Sequence, residues 1–247
     1  LRSRSNSNLS HYMKKSGGYP TWDRTNFKYF PLGDEFYTDV LQELQKARRY
    51  IFVEYFIISK GILWDSILKI LEQKAKEGVE VRILYDGMNS FSNLPHDYPK
   101  ELEAKGIRCR IFNPIRPAIS TSQNNRDHRK ILVIDGHTAY TGGVNLADEY
   151  INRKVRFGHW KDNAIRLKGE AVKNFTVMFL QMWDVCSKKL DSDFDYSPYL
   201  DTGDYFHSPE LDMDGFSIPF SDSPIDGEPV GHQLYLDIIY QAKKYVY

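Results

Sequence analysis

Apolar positions along the chain follow two alternating rhythms. From Phe36 they recur at helical spacing, and Phe36, Tyr37, Val40, Leu41, Leu44 and Ala47 share one face. Arg48 and Arg49 then suit a helix C-terminus. Tyr50–Ile58 is a nearly continuous apolar run, interrupted by Glu54, and predicts a strand. A second amphipathic helix is expected from Ile62 to Ala75, stopped at Gly78. Val79–Tyr85 predicts a strand, with Asp86-Gly87 as the turn after it. Pro99 opens a short helix that ends at Gly106, and Ile107–Phe112 predicts the next strand. Pro114, Pro117 and a Ser/Thr/Asn-rich stretch to Asn125 predict a loop. Ile131–Ile134 reads as a buried strand, Asn163–Leu167 as another, and Glu170 to about Lys189 as a long helix. Helices alternating with strands predict an α/β layered sandwich built around a sheet.

The flanking segments differ in character. Residues 1–24 are rich in Ser, Asn, Arg and Lys, so 1–27 is expected to be a linker or extended arm. Residues 28–190 hold the folded unit. Residues 191–229 are dominated by Asp, Ser, Pro and Gly and read as an irregular connection. Residues 236–247, LDIIYQAKKYVY, then echo residues 41–52, LQELQKARRYIF, at a constant offset of 195. Leu236, Ile239, Ala242 and Tyr245 match Leu41, Leu44, Ala47 and Tyr50, with a basic pair before each tyrosine. An internal repeat is expected, with 230–247 as the start of its second copy.

Composition narrows the classes. At 247 residues and 41% hydrophobic content the chain can bury a sizeable core. The formal net charge of +0 weighs against a nucleic-acid enzyme, and no nucleic-acid partner is expected. Two cysteines in unrelated contexts suggest reduced thiols and a cytoplasmic environment. No apolar run approaches the roughly 20 residues of a spanning helix, and no signal peptide is visible. The chain begins at Leu1 rather than Met, which reads as an excised piece.

The chemistry concentrates in residues 126–145, RDHRKILVIDGHTAYTGGVN. His128 and Lys130 are two apart, so on an extended chain they leave the same face. Asp135 closes the apolar run, and Gly142-Gly143 precede Asn145. A nucleophilic imidazole, a cation and an amide on a glycine turn are the parts needed to attack a phosphodiester. A buried strand with a satisfied histidine is the plainer alternative, but it leaves Lys130 and the Gly-Gly-x-Asn turn unexplained.

This spacing resembles the H-x-K-(x)4-D-(x)6-G-[GS]-x-N signature of the phospholipase D superfamily. The runs YFPLGDEFY, YIFVEYFIIS, LPHDYP, NRDHRKILVIDG, TGGVNLADEYINR and FGHWKDNAIRLKG are together similar to the bacterial cardiolipin synthases. The resemblance implies a phospholipase D-like fold, a mixed β-sheet flanked by helices. It implies joining of two phosphatidylglycerols with release of glycerol through a phosphatidyl-histidine, with no metal and no cofactor. It places the catalytic domain on the cytoplasmic side of the cell membrane, against an anionic surface. Such enzymes carry two motifs behind N-terminal membrane helices. This sequence has one motif and no membrane span, so it reads as a catalytic N-terminal half whose partner is a missing second half or a second chain. By itself that half is expected to be inactive.

The resemblance and the residues together assign roles. His128 is the nucleophile or the general acid. Lys130 and Asn145 hold the non-bridging oxygens, on a turn made by Gly142 and Gly143. Asp162 matches the place of an acid that hydrogen-bonds the nucleophilic histidine, and the chemistry asks for one. Glu54, inside an apolar strand, is expected to face the site and pair with Lys130, or else to lie at a sheet edge. Arg126 is either a contact for a lipid phosphate or a solvated loop arginine. Asp135 follows a full strand from His128, roughly 20 Å away at strand rise, and is expected to be a structural turn residue. His11, His96, His137, His207 and His232 show no metal-ligand spacing. Phe157 and Trp160 are candidates to meet acyl chains or glycerol. Two rival functions stand beside phosphatidyl transfer: a phosphodiesterase or nuclease of the same superfamily, and an inactive half-domain that binds lipid headgroups.

Overall fold

The structure is a computed structural model that describes residues 4–88, 93–114, 125–187, 195–203, 205, 211, 215–222 and 227–246. Along the chain run α1 (Arg4–Ser16), β1 (Thr25–Phe30), α2 (Gly33–Leu44), β2 (Tyr50–Tyr55), α3 (Ile62–Lys76), β3 (Glu80–Asp86), α4 (Tyr98–Glu103) and β4 (Arg108–Phe112). These are followed by β5 (Lys130–Ile134), β6 (Thr138–Gly142), a 3-10 turn (Asp148–Ile151), β7 (Ala164–Gly169), α5 (Val172–Val185), α6 (Ser197–Leu200) and α7 (Val230–Gln241). The strands form one seven-stranded sheet in the order β1-β7-β6-β5-β2-β3-β4. The pairs β2–β3 and β3–β4 are parallel, and the others antiparallel. The expected layered α/β sandwich with a mixed sheet is what the chain forms.

Alternation along the central strands feeds two cores. Ile51, Val53 and Tyr55 of β2 join Leu132 and Ile134 of β5 in the layer shared with α2 and α3. Tyr50 and Phe52 join Ile131, Val133 and Phe179 in the layer under α5. The Phe52 and Phe179 rings stack there at 4.5 Å. A buried charge network pins α2 to the sheet: Asp39 accepts from the Tyr140 hydroxyl at 2.6 Å, Lys28 Nζ at 2.7 Å and Arg166 Nη1 at 2.9 Å. Burial pushes the Asp39 carboxyl up. Lys28, Tyr140 and Arg166 more than offset this, leaving it below the usual carboxylate range.

Two departures from the sequence reading have local causes. The arm expected over residues 1–27 contains α1, and β1 pairs with β7 at the sheet edge. The burial of β1 is confined to its two ends, so its sequence carries no apolar alternation. β6, absent from the predicted elements, is the small-residue run TAYTG, and its first three residues are buried between two neighbouring strands. The repeat reading expects a helix leading into the start of a strand near the C-terminus. A helix, α7, is present, but Ile238 and Ile239 are about half exposed, Tyr245 is 69% exposed, and no strand forms over 242–246. Most of the loop expected over 114–125 and much of the 191–229 connection lie outside the described residues, as does the expected helix end at Lys189.

Asp135 is the tie that closes the centre of the sheet. It sits in the left-handed region at φ 52°. Its Oδ2 accepts from the backbone N–H of Arg48 at 2.8 Å. Its Oδ1 accepts from Arg49 at 2.8 Å and Tyr50 at 2.9 Å. One carboxylate thus satisfies three donors where the loop after α2 enters β2. Asp135→Ala is expected to destabilise the fold by about 3 kcal/mol and to lower the melting midpoint by roughly 10 °C. Chemical denaturation checks this, and a stability within about 0.5 kcal/mol of the parent overturns it.

Candidate active site

The motif enters the sheet from residues 125–129, which lead directly into β5. Its residues alternate. Ile131 and Val133 face the α5 layer, and Leu132 and Ile134 the opposite one. Lys130 and His128 follow the even-numbered parity, and Asp127 and Arg129 the odd-numbered one.

The His128 ring is exposed and lies 4.8 Å from the Phe56 ring. Lys130 Nζ stands 5.4 Å from the same ring on a cation–π approach, and donates to the His128 carbonyl at 2.7 Å. Asn145 is buried. Its Oδ1 accepts from the Ile57 N–H at 3.0 Å, and its Nδ2 donates to the Tyr150 hydroxyl at 2.9 Å. Phe56 and Ile57, just past the end of β2, therefore gather the imidazole, the ammonium and the amide around one spine. Asn145 Nδ2 keeps a second proton that neither contact uses.

Electrostatics prepare both groups. Burial lowers the His128 ring below its ordinary value, and Lys130 adds to this, while Asp127 and Asp86 oppose it. The imidazole is thereby biased toward the neutral, nucleophilic form. Burial pulls Lys130 down to about 8, against the opposing charges of Asp127 and Asp162.

The glycine turn has a steric reason. Gly142 sits at φ 146°, and a Cβ there would meet the Asn163 carbonyl at 2.5 Å. A Cβ on Gly143 would fall on the Asp162 carboxylate itself. The pair lets β7 and its preceding acid press against the end of β6.

Asp162 does not take the role expected of it. Its Oδ1 accepts from the Asn163 N–H at 2.8 Å, and no hydrogen bond joins it to the His128 ring among the described residues. Its place beside Gly143 brings its charge to bear on Lys130 instead.

Glu54 also departs from expectation. It lies on a central strand, fully buried, and shares the face of Tyr50 and Phe52 rather than that of Lys130. Its neighbours are Asp127 and Arg129, whose Nη1 is 3.5 Å from Glu54 Oε1. Neither Glu54 oxygen receives a well-formed hydrogen bond. Burial raises the Glu54 carboxyl well above the usual range. Asp127 raises it further and Arg129 opposes only in part. Arg126 is turned inward, donating to the Asn113 carbonyl at 3.0 Å and to Asp86 Oδ1 at 3.3 Å. Asp135 lies at the far end of β5, as the strand's length requires.

Asp86, Asp127, Phe56 and Tyr150 are the members that sequence reasoning missed. Asp86, fully buried at the end of β3, accepts the Asp127 N–H at 2.9 Å and so sets the backbone one residue before His128. The only sequence signal was an Asp-Gly pair, which reads as a turn.

Residues 40–183 match the family profile described as "Cardiolipin synthase, PLD-like domain". The chain belongs to this family. It is 35% identical over 242 residues to the cardiolipin synthase of Alkalihalophilus pseudofirmus, a match covering 94% of this chain and 45% of that protein. It is 52% identical over 240 residues to an uncharacterised protein of Streptococcus mutans, covering 97% of this chain and 50% of that one. The chain thus spans about half the length of these two relatives. NucT from Helicobacter pylori has the same fold, with a TM-score of 0.52 at 14% identity, covering 66% of this chain and 98% of NucT. No helix among the described residues is long and apolar enough to cross a membrane.

The raised Glu54 carboxyl has a signed consequence. As pH rises past the ordinary carboxylate value of about 4.3, the unfolded chain releases this proton while the folded chain keeps it. Stability conferred by the folded state at low pH is therefore lost progressively until the raised folded value is passed. Glu54→Gln removes that loss. The variant is expected to gain on the parent as pH goes from about 4 to about 8, read by denaturant midpoints. A parent–variant difference that does not change with pH defeats the assignment.

Proposed function

We propose that this chain supplies one half of a phosphatidyltransferase that makes cardiolipin from two phosphatidylglycerols. The observation that carries the reading is the gathering of His128, Lys130 and Asn145 at Phe56-Ile57, with the imidazole exposed and biased toward neutrality. The cardiolipin synthase relatives support the substrate class.

In this reading the neutral His128 nitrogen attacks the phosphorus of one phosphatidylglycerol. A P–N bond forms and the P–O bond to glycerol breaks. The Lys130 ammonium and the unused Asn145 N–H take the charge growing on the non-bridging oxygens. The departing glycerol alkoxide takes a proton from a general acid. The hydroxyl of a second phosphatidylglycerol then attacks the phosphatidyl-histidine, gives up its proton, and frees the imidazole. A second imidazole, from a second motif or a second chain, is the natural proton donor. His128 itself fills the donor's place if the attack comes from the other motif.

His128→Ala is expected to lower synthase turnover by at least three orders of magnitude, with circular dichroism unchanged. The assay uses the protein complete with its second motif and phosphatidylglycerol vesicles. Near-parental turnover by the folded variant overturns the assignment. The pH profile carries a second expectation. Lys130 loses its charge as pH rises through about 8, so activity should fall on that alkaline limb. Lys130→Arg, which stays charged, should shift the limb upward even where the rate drops. An alkaline limb unmoved by this change shows that another group produces it.

A further inference from the structure

Between the 3-10 turn and β7 the chain makes a loop whose neck is locked and whose tip stands in solvent. Asn152, at φ 55°, closes the neck with its side chain. Its Oδ1 accepts the Trp160 N–H at 2.7 Å, and its Nδ2 donates to the Trp160 carbonyl at 3.0 Å. Every residue from Arg153 to His159 is exposed. At the tip Val155 is 81% and Phe157 77% exposed.

The charge on this loop has one sign. Arg153, Lys154, Arg156 and Lys161 lie on it, and no acidic residue occurs from Tyr150 to Lys161. Arg156 pairs with Glu149 at 3.2 Å, and its guanidinium lies 5.1 Å from the Phe157 ring. Arg153, Lys154 and Lys161 have no ion-pair partner among the described residues. The whole chain is electrically balanced, so this concentration is local.

The loop is also wired to the site. The Trp160 ring packs on Tyr150 at 4.9 Å, and the Tyr150 hydroxyl receives the Asn145 amide.

We infer that residues 153–161 form a docking loop for an anionic lipid surface. Val155 and Phe157 enter the interface, and the surrounding cations meet the headgroups. This deepens the phosphatidyltransferase reading and rests on it for the choice of partner. Two bulky apolar side chains held out in water by a braced neck fit an acyl boundary. A nucleic-acid groove needs its cations along a channel, whereas here they ring an apolar tip.

The test measures cosedimentation of the full chain with vesicles of phosphatidylglycerol and phosphatidylcholine, and with pure phosphatidylcholine. Binding is expected to the anionic vesicles, at least tenfold stronger than to the neutral ones. The double variants Val155→Ser/Phe157→Ser and Arg153→Glu/Lys154→Glu should each lose most of that binding at an unchanged melting midpoint. Either double variant binding like the parent, equal affinity for neutral vesicles, or tighter binding to duplex DNA than to anionic vesicles overturns the docking loop. Hydrolysis of the water-soluble bis-p-nitrophenyl phosphate by the two-motif protein separates the two claims. The Arg153→Glu/Lys154→Glu variant in that protein should leave its rate unchanged, because the loop acts on the surface and not on the reacting phosphorus. If the parent protein lacks this activity while the loop still binds vesicles, the chemistry fails and the docking surface stands.

Discussion

The two-residue alternation of the chain through residues 127–134 is the constraint on which the site depends. Side chains of one parity supply Lys130 and the layer beneath α2 and α3, and those of the other supply Arg129 and the layer beneath α5. A shift of one residue would exchange every member of the two sets. Asp127 and Arg129 would then take the face now held by Lys130, and Lys130 would be carried into the layer beneath α5. Register is held at both ends of the strand. Asp86 takes the Asp127 N–H before it, and Asp135 takes three N–H groups of the β2 approach after it. Both anchors are carboxylates that bond backbone, so neither depends on which side chain the strand carries between them.

Around that strand, polar groups follow a division of labour. On one face the exposed imidazole and the buried ammonium and amide gather at Phe56-Ile57 with donors to spare. On the inner side Glu54 and Asp127 sit together in a region too dry for two charges, with Arg129 only partly compensating. Asp127 directly precedes His128 along the chain, so its protonation state enters the field at that ring. Further out, Asn145 reaches through Tyr150 to Trp160, which ties the catalytic turn to the base of the basic loop.

Much of this was legible in the sequence, because the spacing of the motif is linear and short. His128, Lys130, Gly142, Gly143 and Asn145 lie within eighteen positions, and local backbone geometry brings them together. The structural role of Asp135 followed from strand rise alone. What was not legible depends on pairing between distant segments. The face taken by Glu54 is set by the register of β2 against β5, which Glu54's own neighbours do not reveal. Asp162 is directed by the fit of β7 against Gly143, and its carboxylate accepts from the Asn163 N–H rather than meeting the imidazole. β6 and β1 are strands by virtue of their neighbours, since TAYTG and TNFKYF have too little apolar alternation to announce themselves. Asp86 looked like turn chemistry and proved to be a buried backbone anchor.

Under the proposed chemistry, the exposure of the His128 ring has a consequence for product identity. A phosphorylated imidazole is a relay that hands its cargo to whichever nucleophile arrives first. On this half of the site nothing among the described residues sorts alcohol from water at that ring. In the proposed reaction the motif sets how the bond to phosphorus is made, and the surface that comes to lie over the ring sets what breaks it. Two proteins with identical motifs and different covers would yield a lipid conjugate in one case and a hydrolysed headgroup in the other. The discriminating residues belong to that cover, and a comparison of catalytic signatures would not find them.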